Sequence, residues 1–128
     1  MKAKKIVGWV LSVLIAAMMI FLSAPGKFMD FEGKEEMFAK LGWEIEVMKT
    51  IGVIEIAVAI LYLIPRTAFI GAVLVTAYLG GAIATHVRIN DQFFMPVIMG
   101  VLVWVALGLR DGRIFTTAFN AAPRPTVD

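Results

Sequence analysis

Glu55 stands inside Gly52-Val53-Ile54-Glu55-Ile56-Ala57-Val58-Ala59, an apolar run with no other charge. An ionisable group within hydrocarbon carries a penalty on the order of a few kcal/mol and ordinarily serves a partner, a ligand or a proton. Gly52, Ala59 and Tyr62 fall on the same side of a helix as Glu55, which leaves room beside the carboxylate and sets a phenol further in. A second polar group, Thr85, His86 and Arg88, closes another apolar run, with Tyr78 two turns deeper on the His86 side. Lys27 follows the first apolar run and reaches the same level. Glu55 and His86 on neighbouring helices can meet directly or through a water molecule, and could hydrogen-bond or exchange protons with a bound molecule. The candidate ligand-binding set is Glu55, His86, Lys27, Arg88, Tyr62 and Tyr78. Each also has a structural use: Glu55 as an assembly contact between helices, and Lys27, His86 and Arg88 as anchors at the ends of spans.

Other chemistries are excluded by composition. Without cysteine there is no disulfide, thiolate nucleophile, Cys-ligated metal or iron–sulfur cluster. One histidine and one buried acid do not make a metal site. Gly80-Gly81 lies inside an apolar helix and not in a phosphate-binding loop. No Ser–His–acid constellation can be assembled. A net charge of +2, with its basic residues at the ends of apolar runs, suits membrane orientation and not nucleic-acid binding. Trp9, Trp43, Trp104 and Phe93 read as belt or packing aromatics.

The elements that must position these residues are set by hydropathy. Sixty per cent of the chain is hydrophobic and 17% charged, against roughly a half and a quarter in soluble domains. Backbone groups in lipid must pair internally, which forces such runs into helices. Four spans are expected, at Ile6–Ala24, Met48–Ile64, Thr67–Val87 and Phe94–Leu109, the last short enough to be extended at one end. The first could instead be a signal peptide, but its apolar run is too long and Pro25 would obstruct cleavage, so a retained helix is preferred. Pro65-Arg66 makes a tight antiparallel turn with Thr67 as N-cap, and Asn90 or Asp91 caps the fourth span ahead of Pro96. Between Pro25 and Val47, Met37, Phe38, Leu41, Ile45 and Met48 recur at helical spacing against Lys34, Glu35, Glu36, Lys40 and Glu44, the pattern of an amphipathic interfacial helix. The expected architecture is thus all-α, a single domain over residues 1–128 forming an antiparallel four-helix transmembrane bundle, with a flexible tail at 120–128.

With four spans, one face carries Lys2, Lys4, Lys5, Arg66, Arg110, Arg113 and Arg124, and the other Lys27, Lys34, Lys40, Lys49 and Arg88. Seven basic residues against five puts both termini in the cytoplasm of a multi-pass protein of the cell membrane, the inner membrane if the source is bacterial. Small residues recur at Gly8, Ser12 and Ala16, at Gly52, and at Ala72, Thr76, Gly80, Gly81 and Ala84. Such rows allow close helix packing within the chain or against a second copy.

Gly52-Val53-Ile54-Glu55, Leu63-Ile64-Pro65-Arg66, Gly71-Ala72 and Gly80-Gly81-Ala82-Ile83-Ala84-Thr85-His86 together resemble the DoxX-like family of small four-helix membrane proteins. Ser23–Phe28 and Gly100–Arg110 are consistent with it, and the likeness covers nearly the whole chain. It implies the four-helix fold in a functionally scattered family, which includes a membrane subunit of thiosulfate:quinone oxidoreductase, a partner in a mycobacterial oxidative-stress complex, cargo receptors and receptor-assembly chaperones. The family motif falls on Glu55 and His86 and implies no agreed catalytic role for either. Two functions are expected. One is a non-catalytic assembly or accessory subunit of a membrane complex, no enzyme by itself. The other is a subunit of an oxidoreductase system that binds a quinone or another hydrophobic molecule, with Glu55 and His86 in the pocket. The expected partners are membrane lipid, an oxidoreductase or other protein, and a second copy of the chain, and the candidate cofactor is a quinone or lipid.

Overall fold

The computed structural model describes residues 2–119; the expected flexible tail at 120–128 lies outside them. Helix makes up 82% of the described residues, and no strand occurs among them. Helix α1, Lys2–Ala17, runs on through a wide π-type turn, Met18–Ser23, into a 3₁₀ turn at Pro25–Lys27. Pro25 explains the widening. Its ring collides with the carbonyl four residues back, and the preceding Ala24 N–H donates instead to Met19 O, five residues back, at 2.9 Å. Helix α2, Lys34–Leu41, is bounded by Gly33 and Gly42, both left-handed with φ of 82° and 84°, a conformation that glycine adopts without steric penalty. Helices α3 (Ile45–Leu63), α4 (Ala68–Arg88), α5 (Phe94–Arg110) and α6 (Arg113–Phe119) follow.

Helix α1 packs on α3 and α5, and α4 packs on the same two helices. The core between them holds Ile15, Ala16 and Met19 of α1 and Val58, Ala59 and Tyr62 of α3. Ala72, Val75 and Leu79 of α4 and Val103, Ala106 and Leu107 of α5 complete it. Two glycines set the spacing. A Cβ on Gly8 would lie 2.7 Å from Arg110 N and 2.8 Å from Ala106 O, and one on Gly71 would strike the backbone of Tyr62. The outer faces are as apolar as the core: Val10, Leu14, Phe21, Phe69, Ile70, Ile98 and Val101 are all exposed. Water does not tolerate such a surface on a monomer of this size, and lipid does.

Among the described residues, two helical segments, Lys2–Lys27 and Ala68–Arg88, are long and apolar enough to cross a membrane, and a third if α5 and α6 count as one span bent by 115°. Helix α3 has 19 residues but includes Glu46, Lys49 and Glu55. Helix α5, at the expected fourth span, is not extended as a straight helix: it breaks at Asp111–Gly112, and α6 folds back so that Phe115 packs over Gly108.

Several expectations are corrected. The first helix begins at Lys2 and the second long helix at Ile45, ahead of their apolar cores, because flanking polar residues are good helix formers. The pattern from Met37 to Met48 does not lie on one helix. Gly42 ends α2, so Ile45 and Met48 belong to α3, while Met37 is exposed and Lys34 is buried with its Nζ donating to Met29 O. Thr67 occupies the N-cap position of α4, yet its hydroxyl donates backward to Leu61 O at 2.8 Å. Neither Asn90 nor Asp91 caps α5, whose N-cap is Phe93.

Candidate functional site

Glu55 is almost fully buried, 1% exposed, and lies on the inward stripe of α3 with Met48, Gly52, Ala59 and Tyr62. Its Oε2 accepts from Lys27 Nζ at 2.7 Å. The ammonium also donates to Ser23 O at 3.2 Å and Ser23 Oγ at 3.1 Å, so its three protons are all used. The end of α1 places these groups: the π-type turn delivers Ser23, and the 3₁₀ turn that begins at Pro25 delivers Lys27 one turn later. Gly52 permits the approach. A Cβ there would sit 2.8 Å from the Phe28 ring and 3.2 Å from Lys27 Cβ. The space that Gly52 leaves beside the carboxylate is therefore filled by the chain itself. The Tyr78 phenol lies beside Glu55 and Ser23 from α4.

The other expected members are elsewhere. His86 Nδ1 is 3.2 Å from Asp91 Oδ2, beyond the end of α4, and does not join Glu55. Arg88 donates to Leu41 O, where it caps α2 and packs on Gly42. Both residues sit at the close of α4, where the turn through Asn90 (φ 55°) brings Asp91 back to the imidazole. Backbone amide Gln92 N–H, and then His86, hold the Asp91 carboxyl below the usual carboxylate range. An open groove of about 470 Å³ lies between α2 and the start of α3, lined by Phe38, Trp43, Ile45, Glu35, Glu44 and Glu46, and not beside Glu55.

Tyr62 belongs to a second buried polar cluster, two turns along α3 from Glu55. Its hydroxyl donates to Val103 O at 2.8 Å and receives Ser12 Oγ at 3.3 Å. Arg110, 8% exposed, donates through Nη1 to Ser12 Oγ at 3.2 Å and Tyr62 O at 3.0 Å, and through Nη2 to Leu63 O at 3.2 Å. Its guanidinium also lies 3.9 Å from the centre of the Trp9 ring. Sequence reasoning missed this cluster, since Arg110 at the close of an apolar run looks like a basic flank. The available signal was Gly8, Trp9 and Ser12 on the facing helix, with space for an arginine at its small residues. The small-residue row of α4 splits as well. Ala72 is buried, and Thr76 hydroxyl receives Trp104 Nε1 at 2.8 Å. Gly80, Gly81 and Ala84 face outward, and both glycines have open space where a Cβ would stand.

These features define the class: a membrane protein whose described residues form helices and no strand, with apolar outer faces and a buried Lys27–Glu55 ion pair in its interior. A family model for the DoxX-like family matches residues 10–107, and the chain belongs to that family. No curated protein and no solved structure matches it.

Proposed function

We propose that the chain is a non-catalytic assembly or accessory subunit of a membrane complex, an antiparallel four-helix bundle crossing the bilayer with both termini in the cytoplasm. The observation that carries this reading is the buried ion pair of Glu55 with Lys27, which the chain itself closes around. Its carboxylate is bound by Lys27, Lys27 is completed by Ser23, and the neighbouring volume is taken by Phe28. A pair of this kind fixes one helix arrangement and leaves the Lys27 ammonium no further proton to give a ligand. The membrane crossing of α3 gains support from the same contact, since its buried acid is neutralised from α1. Partners fitting the reading are lipid, another membrane protein such as an oxidoreductase, or a second copy.

A second reading, a quinone or another hydrophobic ligand at Glu55, is favoured by one observation: the Tyr78 phenol beside the carboxylate. A thermal melt of the purified chain with and without a short-chain quinone separates the two. The assembly reading expects no quinone-dependent rise in Tm, and a lower Tm for Glu55→Gln with or without quinone. A rise that Glu55→Gln abolishes would replace it with the pocket reading.

A further inference from the structure

Arg110 is a buried cation without a counter-charge among the described residues. The nearest acid in sequence, Asp111, is taken by Arg113, whose Nε and Nη2 reach its oxygens at 2.9 and 2.6 Å. The acceptors of Arg110 are all neutral: Ser12 Oγ and the carbonyls of Tyr62 and Leu63 at the C-terminal end of α3. Those carbonyls and the Trp9 ring offset part of the charge, as a helix C-terminus and an aromatic face do. The guanidinium has five N–H groups, and these bonds use three. Nε–H and the second Nη2–H have no acceptor among the described residues. No fully buried side-chain nitrogen or oxygen among those residues lacks a partner, so Nε reaches the protein surface.

We propose that this corner binds the phosphate of an anionic phospholipid headgroup, with Arg110 as the specific donor and Trp9 as the shelf beside it. The place in the fold suits a headgroup. Gly8 of α1 packs against Arg110 N, and Lys5, one turn earlier, lies close enough to influence Asp111. Arg66 follows the α3 terminus whose carbonyls Arg110 binds. Basic residues therefore collect at this end of the helices. Trp9 is 37% exposed, an amphipathic ring of the kind that settles at headgroup level. A phosphate offers oxygens for both remaining N–H groups and supplies the missing negative charge, which an arginine fork recognises better than an ammonium does. The inference rests on the membrane reading of the chain and does not depend on whether the chain assembles with another protein.

The test uses the full chain purified in detergent, with native mass spectrometry of retained lipid and a thermal melt as the folding control. The probes are dioleoylphosphatidylglycerol and dioleoylphosphatidylcholine, with and without millimolar inorganic phosphate. Wild type is expected to retain the phosphatidylglycerol roughly fivefold or more over phosphatidylcholine. Arg110→Lys, which keeps a charge but loses the fork, should bring the two lipids level, while the Lys5→Gln/Arg66→Gln double variant keeps most of the preference. Insensitivity to inorganic phosphate identifies the lipid as the source; displacement by phosphate would instead assign the corner to the free anion. A folded Arg110→Lys chain with unchanged preference overturns the proposal, and so does a preference lost only in the double variant. If Arg110→Lys does not fold, Trp9→Leu decides. It removes the shelf and leaves the hydrogen bonds of Arg110, so a reduced preference supports the site and an unchanged one overturns it.

Discussion

Lys27 Nζ stands 2.7 Å from Glu55 Oε2, a contact between residues 28 positions apart that joins the end of α1 to the middle of α3. Removing one partner of such a pair leaves a buried charge with no compensation, which costs about 3–5 kcal/mol, whereas replacing both by apolar groups of similar size is often neutral. Lys27→Met and Glu55→Leu are each expected to lower stability by an amount of that order, and the double variant to recover most of it. Chemical denaturation in a fixed detergent, analysed as a double-mutant cycle, measures the coupling. Additive losses would show that the contact holds nothing together.

Gly52 and Gly80 should respond in opposite directions to the same change. At Gly52 a methyl meets the Phe28 ring and the Lys27 stem, so Gly52→Ala should destabilise by about 1–3 kcal/mol. At Gly80 the space is open, so Gly80→Ala should stabilise an isolated chain by about 0.5–1 kcal/mol through helix propensity. Thermal melts of both variants check the pair. A marked loss at Gly80, accompanied by a smaller particle in light scattering, would reveal a second copy seated on that face.

The proposed four-span topology predicts that reporter fusions at Lys34 and after Arg113 lie on opposite sides of the membrane. Lys34 opens α2, beyond the end of the first proposed span, and Arg113 opens α6, beyond the last proposed one. A reporter pair active on one side only, such as alkaline phosphatase and a fluorescent protein, reads the result. Both fusions on the same side would reject four crossings.

The link between Asp91 and His86 carries a pH signature outside the spans. The Asp91 carboxyl is held below its ordinary range, first by Gln92 N–H and then by His86. Its contribution is therefore complete above the ordinary carboxylate pKa and disappears as pH falls through the lowered value. Asp91→Asn should lower Tm slightly at neutral pH, and the difference from wild type should vanish under acid conditions below the carboxylate range. A difference that persists unchanged into acid would show that the carboxylate charge plays no part.

Helicity and the apolar class were legible from composition and hydropathy alone, because lipid exposure and buried packing both demand the same residues over runs near membrane thickness. The burial of Glu55 on the stripe with Gly52, Ala59 and Tyr62 was legible from helical spacing. The end of α2 at Gly42 was not, because apolar residues keep helical spacing across it, and Arg110-Asp111-Gly112-Arg113 marks a break after α5 without dictating that α6 folds back over Gly108. His86 was expected near Glu55 on span lengths that allow the meeting but do not compel it. The turn at Asn90 instead gives the imidazole a local acid, and a short loop closes with less entropy loss than a contact across helices.

The sequence by itself determined that this protein is helical, apolar on its outer faces and marked by one interior carboxylate, since those properties follow from residue type and period. Tertiary structure decided which cation meets that carboxylate. Position along the helices allowed His86, the expected neighbour, as well as Lys27 or Arg88, and the widened turn before Pro25, with the gap at Gly52, admits Lys27. It also decided that Arg110, which reads as a flanking charge, turns inward to the end of α3. A side chain's destination depends on the neighbouring helix's shape and its unsatisfied carbonyls, and neither is written in the residue's own position.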